Sequence, residues 1–259
     1  MNEWVEKSIE IANSRGYLDK LYNIYPVIQG EEREVSEVQK AALKRIFNGG
    51  DDTALVTELL QMEKFPYNDP YVAYLKKDEK FLEYNPKTVK RIARNVRKMG
   101  FEEMMKGFCK PKDPSKKLGD AFQQWLPKLG YPLLVDAEFE SSKKGIVFLK
   151  GGDAHLRDFA NFKLHSSLKK RPDFIAKNND QYIIGEAKFL TSIGGGQDRG
   201  FDDAMTLLKG KKGNAARIAV LDGVVWVKSG NKMHKQVCRL NENALTALLL
   251  IDFLKSIDK

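Results

Sequence analysis

The stretch RPDFIAKNNDQYIIGEAKF, from Arg171 to Phe189, gives the strongest indication of the fold. Two apolar segments, FIAK and YIIGEAKF, lie on either side of the polar NND, which contains residues typical of tight turns. The pattern predicts strands over residues 173–177 and 181–189, joined as an antiparallel hairpin. The charged residues of the stretch then take up defined positions on that hairpin.

These charged residues are predicted to lie on one face. A register centred on the turn places Asp173 opposite Glu186, and Glu186 and Lys188 point the same way because side chains two apart share a face. Facing Cβ atoms lie about 4.5–5.5 Å apart. Two carboxylates at that separation repel unless a cation lies between them. Mg²⁺ suits such an oxygen-only site, with water and substrate phosphate completing its shell.

A lysine beside a metal site has a definite chemical use. Water on a metal loses a proton more easily, and the ammonium of Lys188 would hold the resulting hydroxide in line with a phosphorus atom. The metal also stabilises the charge that develops on the phosphate oxygens. An acid followed by an acid-x-lysine triplet on a hairpin is therefore a minimal site for phosphodiester hydrolysis.

The alternative is a salt bridge on the surface of the hairpin. Exposed pairs of this kind contribute only about 0–1 kcal/mol, so stability gives little reason for the pattern. The strand YIIGEAKF is also apolar on both sides of the triplet, which indicates a partly buried site. We favour the catalytic interpretation, although clusters of acids also occur for structural reasons.

The composition narrows the class of protein. The 259 residues include 44 basic and 35 acidic ones, a net charge of +9, which favours a polyanionic partner. The two cysteines, Cys109 and Cys238, form no C-x-x-C pair, which argues against a disulfide framework and a cysteine zinc site. The N-terminal residues have no apolar run typical of a signal peptide, and the apolar stretch 247–251 is too short to span a bilayer. We expect a cytoplasmic protein with no membrane association.

The two halves of the chain differ in pattern. Residues 1–112 are predicted to be mostly helical, and residues 113–259 to form a mixed α/β core that contains the hairpin. The proline-broken KPKDPSKK, residues 110–117, is the candidate linker between them. In the second half, helical spacing in DRGFDDAMTLL implies a crossover from the hairpin to a parallel strand.

Further elements are predicted around this crossover. We expect a helix in LGDAFQQWLPKLG, a terminal helix over 242–257 capped by Asn241, and a tight hairpin at the Asp-Gly of LDGVVW. The other expected strands cover residues 132–139, 145–149, 217–221 and 224–228.

A basic stripe is predicted on the helix NPKTVKRIARNVRKMG. Its members are Lys87, Arg91, Arg94 and Lys98. Residues 87–117 contain eleven basic and three acidic residues, a net +8, so most of the net charge is concentrated there. The stripe is either a DNA-contacting surface or a solvated helix face, and the sequence favours neither.

Taken together, the motif resembles that of a known family. Pro172-Asp173, twelve intervening residues and Glu186-Ala187-Lys188 resemble the PD-(D/E)-x-K nuclease motif, and the glycine-rich segment 191–205 resembles that of type II restriction endonucleases. The similarity covers roughly residues 117–228. It implies a restriction-endonuclease-like α/β (α+β mixed) core, with a central mixed sheet flanked by helices and a helical N-terminal region before it.

The resemblance also implies roles for particular residues. Asp173 and Glu186 would hold Mg²⁺ with the carbonyl of Ala187, and Lys188 would act on the attacking water. Gln197 and Arg199, together with Arg91, Arg94 and Lys98, are the candidate DNA contacts. Many relatives place a further acid on the upstream helix, but Gln123 stands there in this chain. That leaves Asp120 or Glu138 as the candidates for a third metal ligand.

The function implied by the resemblance is that of a type II restriction endonuclease. We expect Mg²⁺-dependent, sequence-specific hydrolysis of double-stranded DNA by a homodimer, with a companion DNA methyltransferase that acts on the same site. One alternative is a repair or junction-resolving nuclease with the same core. The other is a non-catalytic DNA-binding regulator, in which residues 85–108 form a helix-turn-helix.

Overall fold

The computed structural model describes residues 1–27, 32–111, 118–210 and 213–257. Most of the expected linker, residues 112–117, lies outside these ranges. The chain divides into two compact units, which we call the sheet unit (residues 1–28 and 114–259) and the inserted unit (residues 29–113). The sequence-based boundary after residue 112 falls close to the second junction. The first 28 residues, however, belong to the sheet unit and not to the helical part.

The strands and helices are numbered in chain order. The strands are β1 (Leu133–Leu134), β2 (Ile146–Leu149), β3 (Phe174–Asn178), β4 (Gln181–Leu190), β5 (Ala215–Gly223) and β6 (Asn243–Leu245). The helices of the described residues are α1 (Glu3–Ala12), α2 (Tyr17–Tyr22), α3 (Glu37–Asn48), α4 (Asp52–Gln61), α5 (Val72–Leu75), α6 (Lys80–Tyr84), α7 (Pro86–Met99), α8 (Phe101–Cys109), α9 (Leu118–Trp125), α10 (Asp136–Ser141), α11 (Asp153–Phe162), α12 (Gly196–Lys209), α13 (Lys232–Val237) and α14 (Leu250–Ser256).

The sheet unit is built on one six-stranded mixed sheet in the order β1-β2-β3-β4-β5-β6. The pairs β2–β3 and β3–β4 are antiparallel, whereas β1–β2, β4–β5 and β5–β6 are parallel. Helix α12 connects β4 to β5, which is the predicted crossover. The expected mixed sheet flanked by helices is therefore confirmed.

The central strands are buried because helices cover both faces of the sheet. Ile183 and Ile184 are adjacent in β4, point to opposite faces and are both fully buried. Ile183 belongs to the cluster that contains Phe122 of α9 and Phe201 of α12. Ile184 belongs to a separate cluster with Phe159 of α11. The site residues of β4 are thus held on a strand that is fixed from both sides.

Two sequence predictions about the strands are wrong. Residues 132–139 form the short strand β1 and then α10, not one continuous strand. The chain does not form a hairpin at Gly223 either. Its φ of 89° leads into a 3₁₀ turn over Val224–Trp226, and a Cβ at Gly223 would lie 2.2 Å from the carbonyl oxygen of Leu190. Strand β5 pairs with β6 instead.

The C-terminal prediction also needs correction. Residues 243–245 form β6, a 3₁₀ turn covers Ala247–Leu249, and the helix begins only at Leu250, so Asn241 does not cap it. Ala244 and Leu245 are fully buried beside β5. Burial in the sheet overrides the helical preference of this apolar stretch. Helix α11 was not predicted from the sequence.

The N-terminal helices complete the sheet unit. Helix α1 begins after Asn2, whose side chain accepts a hydrogen bond from Trp4 N, and it buries Val5 in the main core. The backbone nitrogen of Thr246 donates to Ser8 Oγ over 3.0 Å. These contacts with the β6 region explain why the first 28 residues join the sheet unit.

A buried carboxylate ties α2 to the end of β5. Asp222 is fully buried and accepts hydrogen bonds from the hydroxyls of Tyr17, Tyr25 and Thr246 and from the backbone of Ala247. Burial raises the pKa of Asp222 to about 7, although the hydrogen bonds act in the opposite direction. The four donors compensate the carboxylate for the water that it has lost.

The inserted unit consists of α3 to α8 around its own apolar core. Leu55, Leu59, Ile92, Val96 and Met104 are fully buried in it. The helical spacing of Val89, Ile92 and Val96 places all three side chains of α7 in this core. No helix of the described residues is long and apolar enough to cross a membrane.

Candidate active site

The hairpin has the register that the sequence predicts. Its pairs run from Phe174 opposite Gly185 to Asn178 opposite Gln181. Asn179 forms the turn with a φ of 51°. Asp173 N donates to the carbonyl oxygen of Gly185 over 2.9 Å, which extends the pairing by one step. Asp173 therefore lies at the start of β3, beside Glu186 of β4.

The three predicted catalytic side chains meet at this point. Lys188 Nζ lies 2.6 Å from Glu186 Oε1 and 3.3 Å from Asp173 Oδ2. The same Asp173 oxygen accepts a hydrogen bond of 2.7 Å from Ala187 N. The ammonium thus bridges two carboxylates from neighbouring strands.

This cluster is mostly buried. The side chains of Glu186, Asp173 and Lys188 are 10%, 21% and 27% exposed. Burial and then the charge of Asp173 raise the pKa of Glu186, against the effect of Lys188. Burial acts to lower the pKa of Lys188, but the two carboxylates outweigh it and raise that pKa. Two anions held together in this way have a strong electrostatic preference for a cation.

Gly185 allows the aromatic packing beneath the cluster. A Cβ at Gly185 would lie 2.1 Å from the ring of Phe174, so the ring occupies the space that a side chain would need. The Phe174 ring in turn lies 5.9 Å from that of Phe122 on α9. The glycine therefore lets α9 pack close to the strands that carry the site.

Gln123 of α9 contacts the site through the backbone of Asp173. Its Nε2 donates a hydrogen bond of 2.6 Å to the carbonyl oxygen of Asp173. Asp120 is exposed on α9, and Glu138 is exposed on α10, not on a strand. Within the described ranges, no group of three or more acids, histidines or cysteines is arranged to hold a metal.

The donor set at the site fits Mg²⁺. Asp173 and Glu186 offer carboxylate oxygens, and the backbone at Ala187 adds a carbonyl oxygen. All these atoms are hard oxygen ligands, and Mg²⁺ is commonly held by one or two carboxylates with water and phosphate in its remaining positions. The bridging position of Lys188 Nζ shows that the two carboxylates already accommodate a positive charge.

One acid near the site was not predicted from the sequence. Asp203 on α12 lines a cavity of about 330 Å³ together with Glu186, Lys169, Lys170 and Arg171. Its carboxylate lies 2.5 Å from Lys170 Nζ. The helical spacing in DRGFDDAMTLL could have indicated this position. Asp203 directly precedes the buried Ala204 and so lies at the margin of the buried face of the helix.

The glycine-rich loop is closed by its own side chains. Gln197 Oε1 accepts a hydrogen bond from Thr191 N, and Asp198 Oδ1 accepts one from Gly194 N. The side-chain oxygen of Gln197 therefore stabilises this loop. Its amide nitrogen is the group of this side chain that could contact DNA. Arg199 is exposed on the first turns of α12.

The basic stripe of α7 divides into two kinds of residue. Arg91 makes two hydrogen bonds to Asp69, of 2.6 and 3.1 Å, and its guanidinium lies over the ring of Tyr71. The other cations of the stripe are exposed and form no ion pair among the described residues; they are Lys87, Arg94 and Lys98, with Lys90 beside them. These side chains lie in the inserted unit, apart in sequence from the carboxylate cluster.

Comparison with known proteins identifies the class and then the family. The six-stranded mixed sheet flanked by helices is a restriction-endonuclease-like core. A family model described as Tsp45I type II restriction enzyme matches residues 2–257, and the chain belongs to this family. It is therefore a restriction nuclease that acts on DNA. Searches of curated proteins and of solved structures gave no match.

Proposed function

We propose that this restriction enzyme hydrolyses phosphodiester bonds of double-stranded DNA at a specific sequence, with Mg²⁺ as cofactor. The observation that carries the proposal is the contact of Lys188 Nζ with both Asp173 and Glu186 across the β3–β4 hairpin. An acid at the start of one strand and acid-x-lysine in the next form the PD-(D/E)-x-K arrangement. Membership of the family supports DNA as the substrate, and the geometry of this cluster supports hydrolysis as the proposed chemistry.

Asp173, Glu186 and the carbonyl of Ala187 would hold the metal. Mg²⁺ supplies Lewis acidity towards the scissile phosphate when it is bound there. The ammonium of Lys188, released from bridging the two carboxylates, donates hydrogen bonds to the attacking water and favours its deprotonated form. The partly buried setting strengthens these electrostatic effects relative to water.

The proposed DNA contacts lie on two elements. In the inserted unit, Lys87, Lys90, Arg94 and Lys98 present exposed charge to the phosphate backbone. Arg91 supports this face through Asp69 and does not itself need to contact DNA. In the sheet unit, Arg199 and the amide nitrogen of Gln197 are available beside the glycine-rich loop.

We further propose a homodimer with a companion methyltransferase in the cytoplasm. One chain carries one carboxylate cluster, and cutting both strands of a duplex is most simply done by two clusters related by a two-fold axis. A methyltransferase acting on the same sequence would protect the host DNA. Size-exclusion chromatography with light scattering, with and without DNA, tests the dimer.

Incubation with plasmid DNA tests the proposed function. Discrete fragments in Mg²⁺ that are absent with a chelator support sequence-specific cleavage. Smeared products, or a preference for branched substrates, would indicate a repair or junction-resolving nuclease. Intact DNA in all conditions would overturn the catalytic proposal and leave a DNA-binding role.

A further inference from the structure

A basic cavity lies in the sheet unit, outside the carboxylate cluster. Its volume is about 680 Å³, and its charged lining consists of Lys209 of α12, Lys232 and Lys235 of α13, Arg239 and a single acid, Glu242. The remaining lining is Gly230, Gln236, Leu240 and Asn241. Four cations therefore surround one concave space with one carboxylate among them.

The charge of this cavity is not neutralised by the part of the chain that the structure describes. None of its four cations forms an ion pair there. The one acid, Glu242, accepts a hydrogen bond of 3.2 Å from Asn241 N. Like charges around a concave surface repel one another and attract anions. Folding alone gives no reason for this concentration of charge, whereas a polyanionic ligand does.

Helix α12 separates the basic cavity from the active site. Gly200 of this helix lies beside Lys188, since a Cβ there would be 3.7 Å from Lys188 Cδ, and the helix ends at Lys209 in the basic cavity. From Gly200 to Lys209 the helix extends over about 14 Å at about 1.5 Å per residue. The cavity is thus a second positive region at the far end of α12.

We propose that the basic cavity binds phosphates of the DNA duplex that is being cut, about four base pairs from the scissile bond. A span of about 14 Å corresponds to about four base pairs, since a duplex rises about 3.4 Å per step. Phosphates at this distance would therefore reach Lys209 and α13. This inference rests on the proposed function, because it assumes that the scissile phosphate lies at the carboxylate cluster.

The test compares two charge-matched variants on two duplexes. The first variant is Lys232→Gln with Lys235→Gln in the cavity, and the control is Lys143→Gln with Lys144→Gln, two exposed lysines between α10 and β2. Both duplexes carry the sequence mapped by plasmid digestion. One has about two base pairs beyond the scissile bond and the other about fifteen, which is shorter and longer than the proposed span of about four.

Binding is measured as Kd in Ca²⁺ at several salt concentrations. The wild type and the control should bind the long duplex more tightly than the short one. The cavity variant should lose this advantage, and its slope of log affinity against log salt on the long duplex should shrink by about 1.8, at about 0.9 for each lost phosphate contact. A cavity variant that keeps both the wild-type slope and the length dependence would overturn the proposal.

Two further measurements keep the result unambiguous. If the thermal midpoint of the double variant falls, the single variant Lys209→Gln at the end of α12 replaces it, with an expected slope change of about 0.9. If the wild type cuts no DNA, the proposed function fails. The salt dependence of binding to a long duplex of any sequence then still supports or overturns the cavity separately.

Discussion

Gln123 Nε2 donates a hydrogen bond of 2.6 Å to the backbone carbonyl oxygen of Asp173. The bond links α9 to the start of β3, where the first proposed metal ligand lies. Gln123→Ala should slow cleavage up to about tenfold, since one such hydrogen bond is worth about 0.5–1.5 kcal/mol. Cleavage rates over a Mg²⁺ titration measure this effect, and the neighbouring exposed Gln124→Ala is the control. Equal rates for both variants would remove the positioning role.

The proposed metal ligands are tested by removing one carboxylate at a time. Asp173→Ala or Glu186→Ala should abolish cleavage in Mg²⁺ while the protein still folds, because loss of one acid relieves repulsion within the pair. Cleavage assays with thermal unfolding as the folding control check both parts. Near wild-type cleavage by either variant would refute the assignment.

Lys188 is tested separately from the metal. Lys188→Ala should keep sequence-specific binding in Ca²⁺ and lose cleavage in Mg²⁺ by about 10²–10⁴, the range for a positioned acid–base group. Lys188→Arg should restore little, because a planar guanidinium does not replace a compact ammonium. Normal cleavage by Lys188→Ala would mean that the cluster is only a salt bridge.

The two kinds of cation on α7 predict two different phenotypes. Lys90→Ala with Arg94→Ala should reduce the salt slope of DNA binding by about 1.8 and leave stability nearly unchanged. Arg91→Ala should instead destabilise the fold by about 1–2 kcal/mol, because Asp69 is 3% exposed and loses its bidentate partner. Urea unfolding and binding at several salt concentrations separate the two effects. The same phenotype from both variants would contradict this division.

Asp222 predicts a dependence of stability on pH. Its pKa in the folded protein is about 7, above the ordinary value, so the folded state holds the proton more tightly. The associated stability is fully present below about pH 4 and is lost as the pH rises to about 7. Between pH 5 and 8 the free energy of unfolding of the wild type should fall by about 2–3 kcal/mol more than that of Asp222→Asn.

Urea unfolding at the two pH values measures this difference. The matched control is Asp252→Asn, which removes an exposed acid from α14. It should follow the wild type at both pH values. Parallel behaviour of wild type and Asp222→Asn would show that the buried carboxylate does not control this dependence.

The sequence predicted the centre of the sheet well because the signals there are local. The turn residues between two apolar segments define the β3–β4 register, and that register alone brings Asp173 beside Glu186. The helical period of α7 likewise predicts its buried stripe. In each case the pattern and the burial depend on residues close together in the chain.

Other features depend on contacts that are distant in sequence. The Asp-Gly pair at Asp222 looks like a hairpin turn, but a carboxylate that receives four buried hydrogen bonds, including those from Tyr17 and Tyr25, cannot lie in an exposed turn. The sequence indicates Arg91 as a candidate DNA contact, but in the structure its guanidinium is hydrogen-bonded to Asp69, 22 residues away in the chain. Neither partner can be inferred from spacing along the chain.

The hydrogen bond from Thr246 N to Ser8 Oγ joins residues 238 positions apart. During synthesis on the ribosome, α1 is made before the inserted unit, and β6 is made after it. The contacts between α1 and the β6 region can therefore form only once the inserted unit has been synthesised. The sheet unit therefore completes its core only after β6 has been translated, whereas all residues of the inserted unit are available sooner. The nuclease sheet is thus assembled after the inserted unit has been synthesised, and cutting activity cannot arise before that point.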